Sequence, residues 1–371
     1  MSAHRILITS LAALVISTAG CGHDAPTSTL DPVPPVVAGE AIPTERCDAN
    51  RQAGPITFVT GFDYAAAASI IEVIAAETAG YYDDLCLDVT LVPGFSTSNY
   101  PLVASGQAQF ASGGSFSETV AFGLANEADL AVVTVAGAKP IETLLLKPEA
   151  TSLDDVAGNT IGVKGKLPPG VEIMLSQAGL HEGEEFTTIP VDGFDPVAHM
   201  SIDETIGIPG WRSFEPAYLS QHDVPFVEFA VADAGVPGSF GVIFTSREFA
   251  DAHPSAVEDF ARASMRGLAD VIADPSAAAS HALALAEANG NPNFLSFETE
   301  SARAKIEATL IVDALPDGMV AGTPLVDRLQ DELDAYAETG LFGEATPPAA
   351  TEVIIPIIDT ITDDGTIIWP G

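Results

Sequence analysis

A strand, helix and strand pattern between residues 56 and 114 constrains the fold most strongly. A β-branched and aromatic strand begins at Ile56, an apolar and helix-favouring segment covers residues 65–79, and a second alternating strand follows at 87–92. These three elements form a βαβ unit, whose strand-to-helix loop lies at the carboxyl edge of a parallel sheet. The pattern therefore predicts an α/β protein whose functional residues surround the loop after the first strand.

The charge balance excludes one large class of partners. The chain has 371 residues, enough for two lobes, with 14 basic and 52 acidic residues and a net charge of −38. Phosphate backbones would be repelled almost everywhere, so we expect no nucleic acid partner. The acidity fits a solvated surface in salty surroundings or cation-binding patches. We expect no metal site, because neither a D-x-D-x-D-G loop nor an H-E-x-x-H motif occurs.

The amino terminus is typical of a targeting segment. Arg5 precedes an apolar run that is too short to span a bilayer, and small residues lead into Cys21. This pattern resembles the lipobox of bacterial lipoproteins, in which the cysteine is acylated after residues 1–20 are removed as a signal peptide. Ordinary cleavage with a free Cys21 is the alternative. Residues 21–54 are rich in Pro, Thr, Asp and Ala, and they are predicted to be a flexible tether.

Two further cysteines, Cys47 and Cys86, each lie just before a predicted strand of the βαβ unit. In an exported, oxidising compartment a disulfide between them is geometrically reasonable, and it would contribute roughly 3–4 kcal/mol through loop entropy. Two unpaired buried thiols are the alternative. A metal site is not expected there, because no histidine lies near either cysteine.

Two lobes are predicted from the order of strands and turns. A second lobe is expected at residues 148–242, and residues 55–147 and 243–371 are expected to form the first lobe. From Pro254 onward the chain has helical periodicity with spaced apolar positions. No element is assigned to residues 349–371.

Five segments in sequence order carry a family resemblance, and one of them, residues 85–89, is similar to a short entry into the second strand. Residues 75–82 are similar to an alanine/glutamate helix that ends in Gly-Tyr-Phe, and residues 102–110 to a leucine/valine, glycine, aspartate, phenylalanine segment. Residues 153–163 resemble the opening of a second lobe, and residues 212–216 an asparagine-glutamate-proline loop in which Phe214 replaces the asparagine. Together they resemble the periplasmic solute-binding proteins of ABC importers, of the nitrate–sulfonate–taurine and thiamine-pyrimidine-precursor type.

The resemblance implies a type II periplasmic-binding-protein fold, in which two α/β lobes joined by a hinge close over one small-molecule ligand. It also implies an ABC permease as the partner that reads the closed form. Lipidation at Cys21 would hold this extracytoplasmic receptor at the membrane near the permease. We expect a monomer without a cofactor.

Ten residues on predicted edge loops are candidate ligand contacts. Aromatic side chains beside an acid suit a flat ring with hydrogen-bond donors, and a glycine before a helix leaves backbone N–H groups free for an oxygen. Core packing, helix capping and solvated loop charges are the alternatives. The candidates are Phe62, Asp63, Tyr64, Ser96, Asn99, Gly114, Ser115, Lys164, Trp211 and Glu215.

Three functions compete. The first is binding of a small aromatic heterocycle or vitamin precursor, pyrimidine- or flavin-like, and the alternative in the same class is a small anion such as a sulfonate, taurine or nitrate. The second is a secreted enzyme with Asp63 and Glu215 as an acid/base pair, although no G-x-S-x-G, Walker or zinc motif occurs and we expect no catalysis. The third is a sensory domain that passes the closed state to a signalling partner.

Overall fold

The elements alternate between strands and helices, as the βαβ pattern predicts. The computed structural model describes residues 33–193, 195–289 and 295–371. The strands are β1 (Ile56–Val59), β2 (Val89–Val92), β3 (Phe110–Gly113), β4 (Leu130–Gly137), β5 (Glu142–Leu146), β6 (Thr160–Val163), β7 (Thr187–Pro190), β8 (Gly207–Trp211), β9 (Val227–Ala230), β10 (Phe240–Ser246), β11 (Thr362–Asp363) and β12 (Thr366–Ile367). The predicted signal peptide, residues 1–20, and the predicted lipidation site, Cys21, lie outside the described residues.

Helices follow most of the strands and cover the sheets. They are α1 (Thr44–Gln52), α2 (Ile71–Thr78), α3 (Tyr81–Asp84), α4 (Ser96–Ala104), α5 (Phe116–Asn126), α6 (Pro169–Gln177), α7 (Pro196–Met200), α8 (Glu215–Gln221), α9 (Arg247–Ala252), α10 (Pro254–Ala273), α11 (Pro275–Ala288), α12 (Phe297–Ala314), α13 (Val326–Glu338), α14 (Ala350–Val353) and α15 (Ile358–Ile361). Throughout the described ranges, each helix is too short or too polar to cross a bilayer.

Two five-stranded sheets organise the described chain. The first has the order β2-β1-β3-β10-β4 and the second has the order β7-β6-β8-β5-β9. In each sheet four strands run in the same direction and one runs against them. The reversed strand is β10 in the first sheet, which pairs antiparallel with β3 and β4, and β5 in the second sheet, which pairs antiparallel with β8 and β9. We call the body around the first sheet lobe 1 and the body around the second sheet lobe 2.

Sheet membership differs from the predicted lobe boundaries at both crossings. Strand β5 belongs to the second sheet, so the chain leaves the first sheet before residue 142 rather than at 147. It returns with β10, which begins at Phe240 rather than at 243. Strand β5 is fully buried like a lobe 1 strand, and a buried apolar run does not reveal which sheet it joins.

The predicted tether is wrong for its second half. Helix α1 lies within residues 21–54, and Cys47 in this helix forms a disulfide with Cys86, with Cα atoms 5.2 Å apart. Buried Arg46 places its Nε 2.7 Å from an Oδ of Asp259 on α10. The helix is held by one covalent bond and one buried ion pair, which the polar composition of the segment conceals.

The helix predicted at residues 65–79 begins only at Ile71. Behind it, α2 packs closely on α10, where a Cβ added to Gly267 would lie 2.1 Å from the carbonyl oxygen of Glu72. Only glycine permits this approach of two helix backbones. The contact holds the start of α2 against α10.

The carboxyl-terminal segment closes lobe 1. Residue Ile355 donates its backbone N–H to the carbonyl of Val132 in β4 at 2.9 Å, and the β11–β12 hairpin follows. Trp369 packs edge-on against Tyr81 and lies under the guanidinium of Arg266, 4.1 Å from its ring centroid. Residues 349–371, which the sequence left unassigned, therefore belong to the packed body of lobe 1.

Candidate functional site

A cavity of about 270 Å³ lies where the carboxyl ends of the parallel strands of the two lobes face each other. Lobe 1 contributes the segment after β1 and the end of β3, and lobe 2 contributes Lys164 after β6 and Trp211 at the end of β8. Helix α12 contributes Arg303 and Glu307. Because ligands of α/β proteins bind outside the carboxyl ends of the strands, this interlobe cavity is the candidate ligand site.

The segment at residues 65–70 forms one wall and is held by buried carboxylates. The N–H of Ala66 donates to Glu300 at 2.6 Å, and the N–H of Ser69 donates to Glu72 at 2.8 Å. The N–H of Ala68 donates to Glu307. With its donors bound by side chains, and with Ser69 at a φ of +66°, this stretch cannot continue as a helix.

Glu307 joins the two lobes at the cavity wall. One carboxylate oxygen accepts the Ala68 N–H of lobe 1, and the other accepts the Ser213 hydroxyl of lobe 2 at 2.6 Å. Burial raises the pKa of Glu307, while the hydrogen bonds and the nearby Arg303 guanidinium oppose the increase. A single side chain from α12 therefore ties both ligand-facing edges together.

Trp211 and Glu215 form the lobe 2 wall. The Oε2 atom of Glu215 accepts the backbone N–H of Trp211 at 2.7 Å, which fixes the turn between β8 and α8. Burial raises the pKa of Glu215, and the positive charges of Lys164 and Arg303 act against it. The Trp211 side chain is 39% exposed, so its ring is available for stacking on a bound molecule.

Aromatic rings and one buried cation complete the lining. Phe62 packs edge-on against Phe95 with ring centroids 5.8 Å apart. The Arg303 guanidinium lies 4.5 Å from the ring centroid of Phe214 and donates from Nε to Glu300 at 3.2 Å. The charge of Arg303 is therefore partly satisfied within the protein.

The structure brings six of the ten predicted contacts to this cavity: Phe62, Ser96, Gly114, Lys164, Trp211 and Glu215. Ser96 lies at the start of helix α4 and not on the loop predicted for it. Among the residues that the structure describes, no group of three or more His, Cys, Asp or Glu side chains is arranged to hold a metal ion.

Asp63 and Tyr64 do not line the cavity, which corrects the prediction for both. Tyr64 is 0% exposed, packs in the apolar cluster between α2 and α11, and directs its hydroxyl to the carbonyl of Leu91 at 3.4 Å. Asp63 is 2% exposed, has a φ of +48° and donates its N–H to the carbonyl of Gly94. The chain turns sharply here, so the side chains of Asp63 and Tyr64 are buried in lobe 1.

Asn99 and Ser115 have structural contacts instead of lining the cavity. The amide nitrogen of Asn99 donates to the carbonyls of Thr60 and Ser112 at 2.9 and 3.0 Å, so it ties the ends of β1 and β3 together. Ser115 caps α5 by accepting the N–H of Glu118 at 3.2 Å. Both residues hold the edge of lobe 1 on which ligand-facing residues lie.

Sequence reasoning missed the contribution of α12. Glu300, Arg303 and Glu307 are buried at spacings of three and four residues, on the helix face that also buries Ala304 and Ala308. Charged residues on an apolar helix face are rare unless they are paired, so their spacing among the alanines indicates buried polar partners. The backbone and hydroxyl donors that Glu300 and Glu307 bind lie more than ninety residues away in the chain.

Comparison with known proteins finds a family model and a related sequence that match parts of the chain. The sequence model of the family described as "NMT1/THI5 like" matches residues 67–278. The riboflavin-binding protein RibY of Chloroflexus aurantiacus is 31% identical over 127 residues, which cover 33% of this chain. The match spans only 35% of the length of that curated relative.

Solved structures share the fold at low sequence identity. The alkanesulfonate-binding protein SsuA from Xanthomonas axonopodis pv. citri, bound to MOPS, superposes with a TM-score of 0.57 at 16% identity and covers 81% of this chain and 98% of its own. The periplasmic nitrate-binding protein NrtA from Synechocystis PCC 6803 gives a TM-score of 0.56 at 13% identity, covering 81% and 86%. The predicted periplasmic-binding-protein fold, with two α/β lobes, is confirmed.

Proposed function

Since the chain belongs to the NMT1/THI5-like family, we propose that it is a solute receptor of an ABC importer. In this proposal the two lobes close over one small aromatic heterocycle, pyrimidine- or flavin-like, and release it unchanged to a permease. The interlobe cavity carries the proposal, because aromatic rings and buried carboxylates from both lobes line it. A ligand that touches both lobes stabilises the closed form by its differential affinity for that form.

The side chains of the cavity favour a neutral or donor-bearing ring over a simple anion. Phe62 and Trp211 offer ring faces, and Glu215 and Glu307 offer carboxylate oxygens to ring or amine N–H groups. Of the two cations in the lining, Arg303 already pairs with Glu300. The partial match to a riboflavin-binding protein supports the same class of ligand.

A small anion is the second candidate ligand. Structural neighbours are described as sulfonate- and nitrate-binding proteins, and Lys164 and Arg303 line the cavity. In this chain, however, the Ala66, Ala68 and Ser69 backbone donors that could meet an anion already bind carboxylates of the protein. The enzyme alternative has less support, because Asp63 does not line the cavity that Glu215 lines.

The location and the partner also belong to this proposal. We place the mature receptor outside the cytoplasm, as a monomer held at the membrane by a lipid on Cys21. The amino-terminal pattern and the disulfide between Cys47 and Cys86 support an exported, oxidising location. Import through a permease is favoured over sensing, and mass spectrometry of acylated Cys21 tests the anchor directly.

Ligand binding is tested by thermal shift and calorimetry. The probes are riboflavin and 4-amino-5-hydroxymethyl-2-methylpyrimidine, with taurine and nitrate as the anion arm. A true ligand at a hundred times its Kd stabilises the folded state by about 2.7 kcal/mol. Stabilisation by an anion, with both heterocycles inert, would overturn the preference for a ring, and a chemically altered ligand after incubation would favour the enzyme.

The two tryptophans provide a matched control. Trp211 lines the cavity, whereas Trp369 packs against Tyr81 and Arg266 in lobe 1. Trp369→Phe should keep a ligand-dependent change of tryptophan fluorescence, and Trp211→Phe should lose it and weaken binding measured by calorimetry. A signal that follows Trp369 instead would place the ligand elsewhere.

A further inference from the structure

A second compartment of about 170 Å³ opens beside the interlobe cavity on lobe 2. Lys164, Trp211 and Glu215 line both spaces, so the two spaces adjoin at the Trp211 side chain. Lys166 and His199 line only the second space, which we call the side compartment. A ligand held against Trp211 therefore has room for a substituent on the lobe 2 side of the ring.

The side compartment has a local excess of positive charge. Two of the 14 basic residues of the chain, Lys164 and Lys166, line it, against one carboxylate, Glu215. The turn between the lysines is made by Gly165 at a φ of +86°, a conformation that L side chains rarely adopt. This excess stands out in a chain with a net charge of −38.

Two acidic groups lie near these lysines, and burial disfavours the charged form of each. Glu215 directs Oε2 to the Trp211 N–H; burial raises its pKa, and the charge of Lys164 opposes the increase. Glu118, on helix α5 of lobe 1, is the second acid; burial raises its pKa, and the charge of Lys166 opposes the increase. His199 is buried, with Nε2 2.8 Å from the carbonyl oxygen of Asp192, so its ring orientation is fixed.

We propose that the side compartment binds an anionic substituent, a phosphate monoester, on the ligand whose ring occupies the interlobe cavity. The inference rests on the proposed function, because it needs a ring bound against Trp211. A phosphate monoester carries a charge of about −1.5 to −2 at pH 7, which two ammonium groups match. The side compartment thus makes the receptor select the phosphorylated form of its ligand over the unphosphorylated parent.

Two matched pairs test this selection by calorimetry. They are riboflavin with riboflavin 5′-phosphate, and the hydroxymethylpyrimidine named above with its phosphate ester. We expect one ester to bind about tenfold more tightly than its parent, the effect of two partly exposed charge pairs. The advantage should shrink as the salt concentration rises, because these pairs are open to screening.

Lys166→Ala is the informative variant, because Lys166 lines only the side compartment. The matched control is Lys305→Ala, since Lys305 lies on the exposed face of α12. The first should reduce the ester's advantage severalfold and the second should not. A parent that binds as well as its ester overturns this inference and leaves the proposed function standing. An advantage that survives Lys166→Ala also overturns it, and a panel in which neither parent nor ester binds overturns both proposals.

Discussion

Replacement of Glu307 tests whether one buried carboxylate holds the ligand-facing edges of the two lobes together. In the structure its two oxygens accept the Ala68 N–H from lobe 1 and the Ser213 hydroxyl from lobe 2. Glu307→Ala removes both acceptors, whereas Glu307→Gln keeps the shape. The glutamine amide oxygen can accept the Ala68 N–H, and its nitrogen can donate to the Ser213 oxygen.

The magnitude follows from the donors left without acceptors. A buried donor without a partner costs about 1–3 kcal/mol, and two are created by Glu307→Ala. Loss of a buried charge offsets part of this cost, since burial and Glu300 raise the pKa of Glu307. We therefore expect the alanine variant to lose about 3 kcal/mol of unfolding free energy, and the glutamine variant about 1 kcal/mol.

Urea unfolding at neutral pH measures both values, and calorimetry with the preferred ligand measures the effect on closure. The control is Glu298→Ala, an exposed acid on the same helix, which should change stability by less than about 1 kcal/mol. We expect ligand affinity to fall in the order wild type, glutamine, alanine. An alanine variant as stable as Glu298→Ala would show that the contact between the lobes contributes little and would refute this reasoning.

Two further predictions concern lobe 1 and pH. Joint replacement of Cys47 and Cys86 by serine should lower the unfolding free energy by about 4 kcal/mol, because the bond closes a loop with a sequence separation of 39 residues; denaturation curves that coincide with those of the wild type would contradict this. Burial raises the pKa values of Glu72 and Glu142 to about 8, so the folded state retains protons that the unfolded state releases, and stability should fall between pH 5 and pH 8. The Glu72→Gln/Glu142→Gln variant should show a smaller fall in urea unfolding, and an equal fall would contradict the assignment.

The sequence was sufficient for features that depend on near neighbours in the chain. The βαβ unit beginning at Ile56 was predicted from alternation and apolar periodicity, which local backbone preferences determine. Pairing of Cys47 with Cys86 was also within reach, because each precedes a strand of the same unit. Trp211 and Glu215 were predicted contacts and line the cavity, since the ends of parallel strands meet at one edge of a sheet.

Features that depend on distant partners were not predicted. Residues 65–70 have helix-favouring composition, yet the N–H groups of Ala66 and Ala68 donate to Glu300 and Glu307, more than two hundred residues later. Tyr64 is a candidate contact on the predicted ligand loop, but the turn at Asp63 directs its ring into the core of lobe 1. A side chain's direction after a turn depends on a few backbone angles that composition does not specify.

The sequence by itself determined the fold class, the order of strands and helices, and which strand ends line the candidate cavity. The tertiary structure alone decided which sheet receives β5, which side chains face the cavity, and that α12 closes its wall. The physical reason is the range of the interactions. Local propensity acts over a few residues, whereas buried carboxylates bind whichever backbone donors the folded chain brings to them.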